Sequence, residues 1–295
     1  MHQFTAETYE SLCVSESEIP TWQVMVPRLA LKQRYLMNGI LALASLHIAT
    51  TRVSDDALAY IDAGLQYHSL SLEPFRIAIG NLTPENCNAA FAQSVVTTAI
   101  SLALPQLTAK HENAVRMTDN ILTVFGLLQG VKKILTIGQQ QSWINLGLFS
   151  KGEFWRKDSF IQLDEETDAA LNKLKDISGA HVNINVINHL RHCFMKFTCS
   201  SDPAPVLAWL AAVDKEFVES LHQRQPFSML VLSYWGILLT ELDGHRWWAK
   251  NAGRSLVREL MGSLTTEDPE WESCLAWVRQ KLSRIPSSSV ASSHR

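Results

Sequence analysis

The apolar stretch from Leu36 to Ala49, LMNGILALASLHIA, constrains the fold more than any other part of the chain. Helix-forming residues dominate it, and apolar positions recur with helical spacing here and along nearly all of the sequence. Short alternating runs bounded by turns, which mark the strands of a sheet protein, do not recur. The sequence therefore predicts an all-α fold.

Prolines and capping residues indicate where several helices begin and end. We expect a helix from just after Pro27 to about Thr51, a second one from Ser54 that Pro74 kinks or splits, and a third from Glu85 to Leu104 that Pro105 ends. Further helices are predicted near His111–Leu128, Glu165–Ile177 and Asn183–Thr198, and after Asp202 and Asp268. The glycine-punctuated segment 130–152 is the least regular part and is interpreted as a lid over a pocket.

Length and composition favour one continuous helical domain. The chain has 295 residues, of which 46% are hydrophobic and only 19% charged, so apolar material is ample for a core and for a cavity or an interface. We find no internal repeat or long linker. We predict a single domain over residues 1–285, followed by a disordered Ser-rich tail over 286–295.

Charge and cysteine usage narrow the classes of function. The net charge is −3 and the basic residues are dispersed, so we expect no direct nucleic-acid binding by this chain. The five cysteines lack paired spacing, which favours reduced, buried thiols in a nuclear or cytoplasmic protein. We expect no export signal at the N-terminus. We also expect no membrane span, because Asn38, Ser45 and His47 interrupt the first apolar stretch.

Two landmarks follow that stretch, YHSLSLEPFR at 67–76 and LTPEN at 82–86. Further segments in a fixed order are MHQFTAETY at the start, FGLLQGVKKIL at 125–135, YWGILLTELDGHRWWAKNAGRSLVREL at 234–260 and DPEWESCLAWVRQKL at 268–282. In this order they resemble the regulatory domain of fungal zinc-cluster transcription factors of the sterol uptake control type. Residues 150–200 carry little of the resemblance.

The resemblance implies an all-helical fold with an internal hydrophobic pocket, mainly in the C-terminal half, for ergosterol or a similarly shaped molecule. It also implies that a Gly-containing loop, here Arg246 to Arg254, affects the transcriptional response. The six-cysteine zinc cluster of the family would precede His2-Gln3-Phe4-Thr5, where this chain has Met1. We therefore expect either a stand-alone relative or an excised domain.

A steroid-like ligand needs a deep apolar cavity with one or two polar groups for its hydroxyl. Residues 227–239 form an apolar helix with the pattern of a helix buried on all sides, and Trp247 and Trp248 adjoin Gly244 and Gly253 at a hinge or pocket rim. These residues either line a pocket or only fill the core. The candidate ligand-binding residues are Phe227, Leu230, Tyr234, Trp235, Leu238, Trp247, Trp248 and Gly253.

No established catalytic or cofactor motif occurs in the sequence. His189, His192 and Cys193 share one side of a helix but lack a fourth ligand, so we assign no metal site and expect no cofactor. The acidic run Asp164-Glu165-Glu166 is best explained as the start of a helix.

The first hypothesis is a regulatory sensor domain that binds a sterol, a terpenoid or a polyketide and acts through a homodimer or a transcription factor partner. The alternative is a cofactor-free enzyme of fungal secondary metabolism on the same fold, which would promote a cyclisation, an isomerisation or a pericyclic step by holding the substrate folded. Tyr234, His245 or His47 would then supply hydrogen bonds or protons. A third reading is a protein-interaction module with a filled core.

Overall fold

The computed structural model of the protein describes residues 1–13, 15–52, 55–108, 116–126, 162–178, 181–198, 204–265 and 268–285. Within these ranges the chain is helical and contains no β-strand, which confirms the predicted all-α class. The predicted segment 130–152 and the tail 286–295 lie outside the described residues.

The contacts between residues divide the chain into two compact units. Unit 1 comprises Met1–Glu112 with Gly126–Arg156, and unit 2 comprises Asn113–Phe125 with Lys157–Arg295. The expectation of one continuous domain over 1–285 therefore stays a prediction, and each unit is described separately below.

Unit 1 is built on three long helices. Short 3₁₀ turns at Thr8–Leu12 and Glu16–Glu18 and a π turn at Thr21–Met25 connect its first helices. The α-helices are α1 (His2–Ala6), α2 (Val26–Ala30), α3 (Arg34–Thr51), α4 (Asp55–Gly80) and α5 (Cys87–Leu107). Helix α3 packs against both α4 and α5, and it also contacts α1 and the turn Thr8–Leu12, which carry the buried side chains of Phe4 and Tyr9.

The predicted helix boundaries differ from the structure at Pro27 and Pro105, and of the two outcomes predicted at Pro74 the split does not occur. The helix expected after Pro27 is two helices, α2 and α3, separated at residues 31–33. Pro74 does not split α4, because the backbone carbonyl of Leu70, which an N–H at position 74 would normally bind, accepts a hydrogen bond from the Asn38 side-chain amide at 3.4 Å. Pro105 lies inside α5, which starts at Cys87 and ends at Leu107.

Helix α5 has the length and hydropathy of a membrane-spanning helix, and it is the one described helix that does. However, 83% of its apolar stretch is buried inside the protein. Such burial is characteristic of a core helix, so α5 gives little support to a membrane span.

Several helices of unit 2 pack against one helix that is buried from Ser228 to Thr240. The helices of unit 2 are α6 (residues 117–126), α7 (Glu165–Asp176), α8 (His181–Phe197), α9 (Ala204–Ala212), α10 (Lys215–His222), α11 (Pro226–Thr240), α12 (Ala252–Ser263) and α13 (Pro269–Arg284), with a 3₁₀ turn at Trp247–Ala249. The predicted start at Asp268 is confirmed, since its carboxylate accepts a hydrogen bond from the Glu270 N–H at 2.8 Å. The start predicted at Asp202 lies outside the described residues.

Candidate functional site

Helix α11 carries most of the candidate ligand-binding residues. Pro226 occupies its first turn, and every residue from Ser228 to Thr240 is buried. This confirms the prediction of a helix buried on all sides. Whether the helix also lines a pocket stays a prediction.

The hydroxyl of Tyr234 is hydrogen-bonded inside the core of unit 2. Its hydroxyl donates a hydrogen bond to the Cys274 carbonyl oxygen at 3.3 Å, and its ring stacks on Trp277 at a centroid distance of 4.5 Å. Burial raises the pKa of Tyr234 above its ordinary range, so the phenol keeps its proton at neutral pH. This residue is therefore a poor candidate for the general acid of the enzyme alternative.

Trp235, on the same helix, belongs to an aromatic cluster whose other members lie on neighbouring helices. Its indole N–H donates to the Val206 carbonyl at 2.8 Å, and its ring stacks on Trp209 at 5.8 Å. The Trp209 ring also meets Phe125 and Phe217 edge-on, and its own N–H donates to the Val186 carbonyl. Both indoles thus have their polar atoms bonded to backbone, which lets the rings be fully buried.

The remaining candidates differ in exposure. Leu230 and Leu238 are buried, as is Trp248 in the 3₁₀ turn. Phe227 and Trp247 are partly exposed, and Phe227 meets Trp271 edge-on at 6.1 Å. These two aromatic residues are the members of the candidate set that a ligand could reach from solvent.

Gly253 marks a close contact between helices. It lies in the first turn of α12, and a Cβ at this position would stand 2.6 Å from the Gly236 carbonyl oxygen on α11. The turn before α12 contains Gly244, whose φ of 86° is in the left-handed region. The segment 246–254 that the resemblance singles out is thus a turn followed by the start of a helix.

Arg254 is a buried cation that the sequence did not reveal as special. It is 7% exposed, and its guanidinium donates to the carbonyls of Leu282 and Ile285 at 3.3 and 2.7 Å. These carbonyls close the last turn of α13, where a cation is favoured. A buried arginine is recognised only from tertiary contacts, since its neighbours in sequence resemble those of an exposed one.

Three helices of unit 1 meet at a polar junction, which contains Ser71 of the landmark 67–76. The Gln93 amide N–H₂ on α5 donates to Thr97 Oγ1 at 3.0 Å and to Ser71 Oγ on α4 at 3.4 Å. The same amide covers Gly39 on α3, where a Cβ would lie 2.7 Å from its Cδ atom. Gln93, Ser71 and Thr97 are fully buried. These contacts hold the three helices together.

The other candidates have structural partners. His47 Nδ1 lies 2.9 Å from the buried Thr8 hydroxyl of unit 1, as expected for a satisfied core histidine. Cys193 is fully buried, and burial raises the pKa of its thiol, which makes it a poor metal ligand. No group of three metal-ligating side chains occurs within the described ranges.

The acidic run at Asp164 caps a helix, as predicted. The Asp164 carboxylate accepts a hydrogen bond from the Thr167 N–H at 2.9 Å, and Glu166 pairs with Arg284 at 2.7 Å and with Lys281 at 3.4 Å. The four described cysteines are buried and form no disulfide with one another, as expected for reduced thiols, and Cys199 lies outside the described residues.

The comparison with known proteins points to one class. No protein-family model matches the chain. A Zn(2)-C6 fungal-type transcription factor of Gibberella zeae is 25% identical over 307 aligned positions, which cover 94% of this chain. The chain is similar to a fungal transcription factor. It spans 60% of the length of that relative, and the similarity supports the fungal transcription factor family without fixing the type of domain.

Proposed function

We propose that this chain is a regulatory region of the fungal transcription factor type that binds a sterol- or terpenoid-like molecule in unit 2 and acts in the nucleus. The observation that carries the proposal is the similarity to a fungal transcription factor over 94% of the chain. The resemblance to sterol uptake control proteins supplies the ligand class. The DNA-binding module would come from a transcription factor partner or from a part of the protein outside this sequence.

The chemistry of unit 2 supports an apolar ligand. Most side chains of α11 are aliphatic or aromatic, and the polar atoms of Tyr234 and Trp235 are bonded to backbone carbonyls. Such a surface offers a rigid apolar molecule a large contact area and little competition from unpaired polar groups. Phe227 and Trp247 would form the entrance, because they are partly exposed.

The binding step is tested by native mass spectrometry of the whole chain incubated with ergosterol, and with farnesol as a terpenoid probe. We expect one molecule of one probe per chain and a rise in the melting temperature that grows with its concentration. Phe227→Ala should weaken binding at least tenfold. Phe197→Ala is the matched control, since Phe197 is also a partly exposed phenylalanine of unit 2 but not a candidate.

Failure of both probes to bind would refute the proposed ligand class. Recovery of a chemically changed probe would instead support the alternative, a cofactor-free cyclase, isomerase or pericyclase. The regulatory step is tested separately by fusing the whole chain to a heterologous DNA-binding domain and depleting the cells of ergosterol. Reporter output that does not depend on the sterol would refute the sensing role, even if the chain binds the sterol.

A further inference from the structure

Helix α4 of unit 1 has a row of exposed leucines along one edge. Leu58, Leu65 and Leu72 are 45%, 38% and 40% exposed, and Ile79 continues the same spacing. We call these four residues the α4 edge. Single exposed leucines are ordinary, but these three leucines and the partly exposed Ile79 form a regular row about 30 Å long.

The spacing of the α4 edge indicates what kind of surface would cover it. The four residues recur every seven positions, the repeat at which one stripe of a helix stays in contact with a second helix. The α4 edge borders the buried face of α4, on which Ile61 and Phe75 lie. A partner helix would therefore extend the packing of unit 1 outward.

The charges beside the α4 edge favour a second copy in the opposite direction. Three aspartates, Asp55, Asp56 and Asp62, occupy the first third of α4, whereas Glu73 and Arg76 near its end balance each other in an exposed ion pair. A parallel copy would place aspartates beside aspartates. An antiparallel copy, centred between Leu65 and Leu72, would keep the aspartates of the two chains apart, would place Asp62 of each chain near the Glu73–Arg76 ion pair of the other, and would oppose the two helix dipoles.

We propose that two copies of this chain associate through the α4 edge with their α4 helices antiparallel. This inference goes beyond the proposed function and does not require a ligand. It commits to the same chain as the partner, because the spacing and the charge distribution complement themselves under a twofold axis.

The association is tested by sedimentation velocity of the whole chain over a range of concentrations. We expect a reversible dimer whose dissociation constant rises at least tenfold in the double variant Leu65→Lys, Leu72→Lys. The matched control is Leu31→Lys, which alters a leucine that is 76% exposed and lies off the α4 edge. A monomeric wild-type chain at about 100 µM, or a dimer that the double variant leaves unchanged, would overturn the proposal. Circular dichroism checks that each variant folds.

The direction is tested by crosslinking two single variants, Asp62→Cys and Arg76→Cys, with a short bismaleimide. Packed helix axes lie about 8–10 Å apart, within the reach of such a reagent. We expect crosslinks only when the two variants are mixed, and the wild-type chain measures the background of the native cysteines. Crosslinking of each variant with itself would show parallel helices and overturn the antiparallel arrangement.

Discussion

The two units bury polar groups in different ways. In unit 1, the buried Gln93 amide bonds to side-chain hydroxyls on α4 and α5, and the partly exposed Asn38 amide bonds to a carbonyl that Pro74 leaves free. In unit 2, the polar ends of large aromatic rings bond to backbone carbonyls, as those of Tyr234 and Trp235 do. The first arrangement fixes how helices meet, whereas the second leaves a core lined by apolar ring faces.

This difference explains why the resemblance to sterol uptake control proteins bears on the fold in unit 1 and on the proposed ligand in unit 2. In unit 1, Asn38 and Gly39 of the apolar stretch 36–49 and Ser71 of the landmark 67–76 are engaged in contacts between helices. They therefore carry information about the fold. In unit 2 the first part of the resembling segment, from Tyr234 to Thr240, lies in the apolar core, which is where the proposed function places its ligand.

The contact between α11 and α12 should be the most sensitive to a single methyl group. At Gly253, a Cβ would meet backbone atoms of Gly236 and Thr240, which move only if the helices separate. We expect Gly253→Ala to lower the free energy of unfolding by about 3 kcal/mol, measured by denaturant titration.

Gly262 provides the control in the same helix, since a Cβ there would meet nothing within 4 Å. Gly262→Ala should stabilise the protein by up to about 1 kcal/mol through helix propensity. Equal effects of the two substitutions would contradict a close helix contact at Gly253.

An added methyl group should cost less stability at the polar junction of unit 1, because a Cβ at Gly39 would meet a side chain and not backbone. Gly39→Ala forces the Gln93 amide to move and to leave Ser71 and Thr97, which we expect to cost about 2 kcal/mol. In the Gln93→Ala background the same change should cost at least about 1 kcal/mol less. Additive effects in this double-mutant cycle, measured by denaturant titration, would show that the two residues do not interact.

A smaller loss of stability is expected from a change at Asn38, whose amide contacts α4 one turn before Pro74. Asn38→Ala removes the amide that bonds the Leu70 carbonyl, at a cost of about 1 kcal/mol. In the Pro74→Ala background the new N–H can bond that carbonyl within the helix, so the loss of Asn38 should cost much less. Hydrogen exchange of peptides from α4 measures both changes locally. The explanation fails if Asn38→Ala costs the same in both backgrounds.

The sequence predicted the helical class and the buried helix α11, because both depend on local periodicity. It misplaced the boundaries at Pro27 and Pro105, because a proline rule is local. It also allowed a split at Pro74 that does not occur, and Asn38, which bonds the carbonyl opposite Pro74, lies on another helix. The pairing of Gly39 with Gln93 joins residues far apart in the chain, and no spacing rule detects it.

The candidate site shows the same limit. Aromatic residues on α11 could be found from the sequence, but which of them have their polar atoms bonded could not. Their acceptors are the backbone carbonyls of Val206 and Cys274, which no side-chain pattern marks.

The smallest expected effect is a pH dependence that originates in unit 1. Burial lowers the pKa of His68, whose Nδ1 atom is buried without a hydrogen-bond partner, and burial also lowers the pKa of His47. The unfolded chain then binds more protons than the folded chain below the ordinary histidine pKa of about 6.5. The stability of unit 1 should be complete above that pH and should decrease as the pH falls through and below it.

Hydrogen exchange of α3 and α4 peptides at a series of pH values, corrected for the intrinsic exchange rates, measures this dependence. His68→Leu should flatten it in part, leaving the contribution of His47, whereas His2→Leu, at an exposed histidine of unit 1, should leave it unchanged. An unaltered slope in His68→Leu would mean that the buried imidazole is not the group that titrates. His68 lies on α4 close to the polar junction. Such a result would therefore also mean that protonation of His68 does not affect the stability of the junction, and that the two units differ in packing alone.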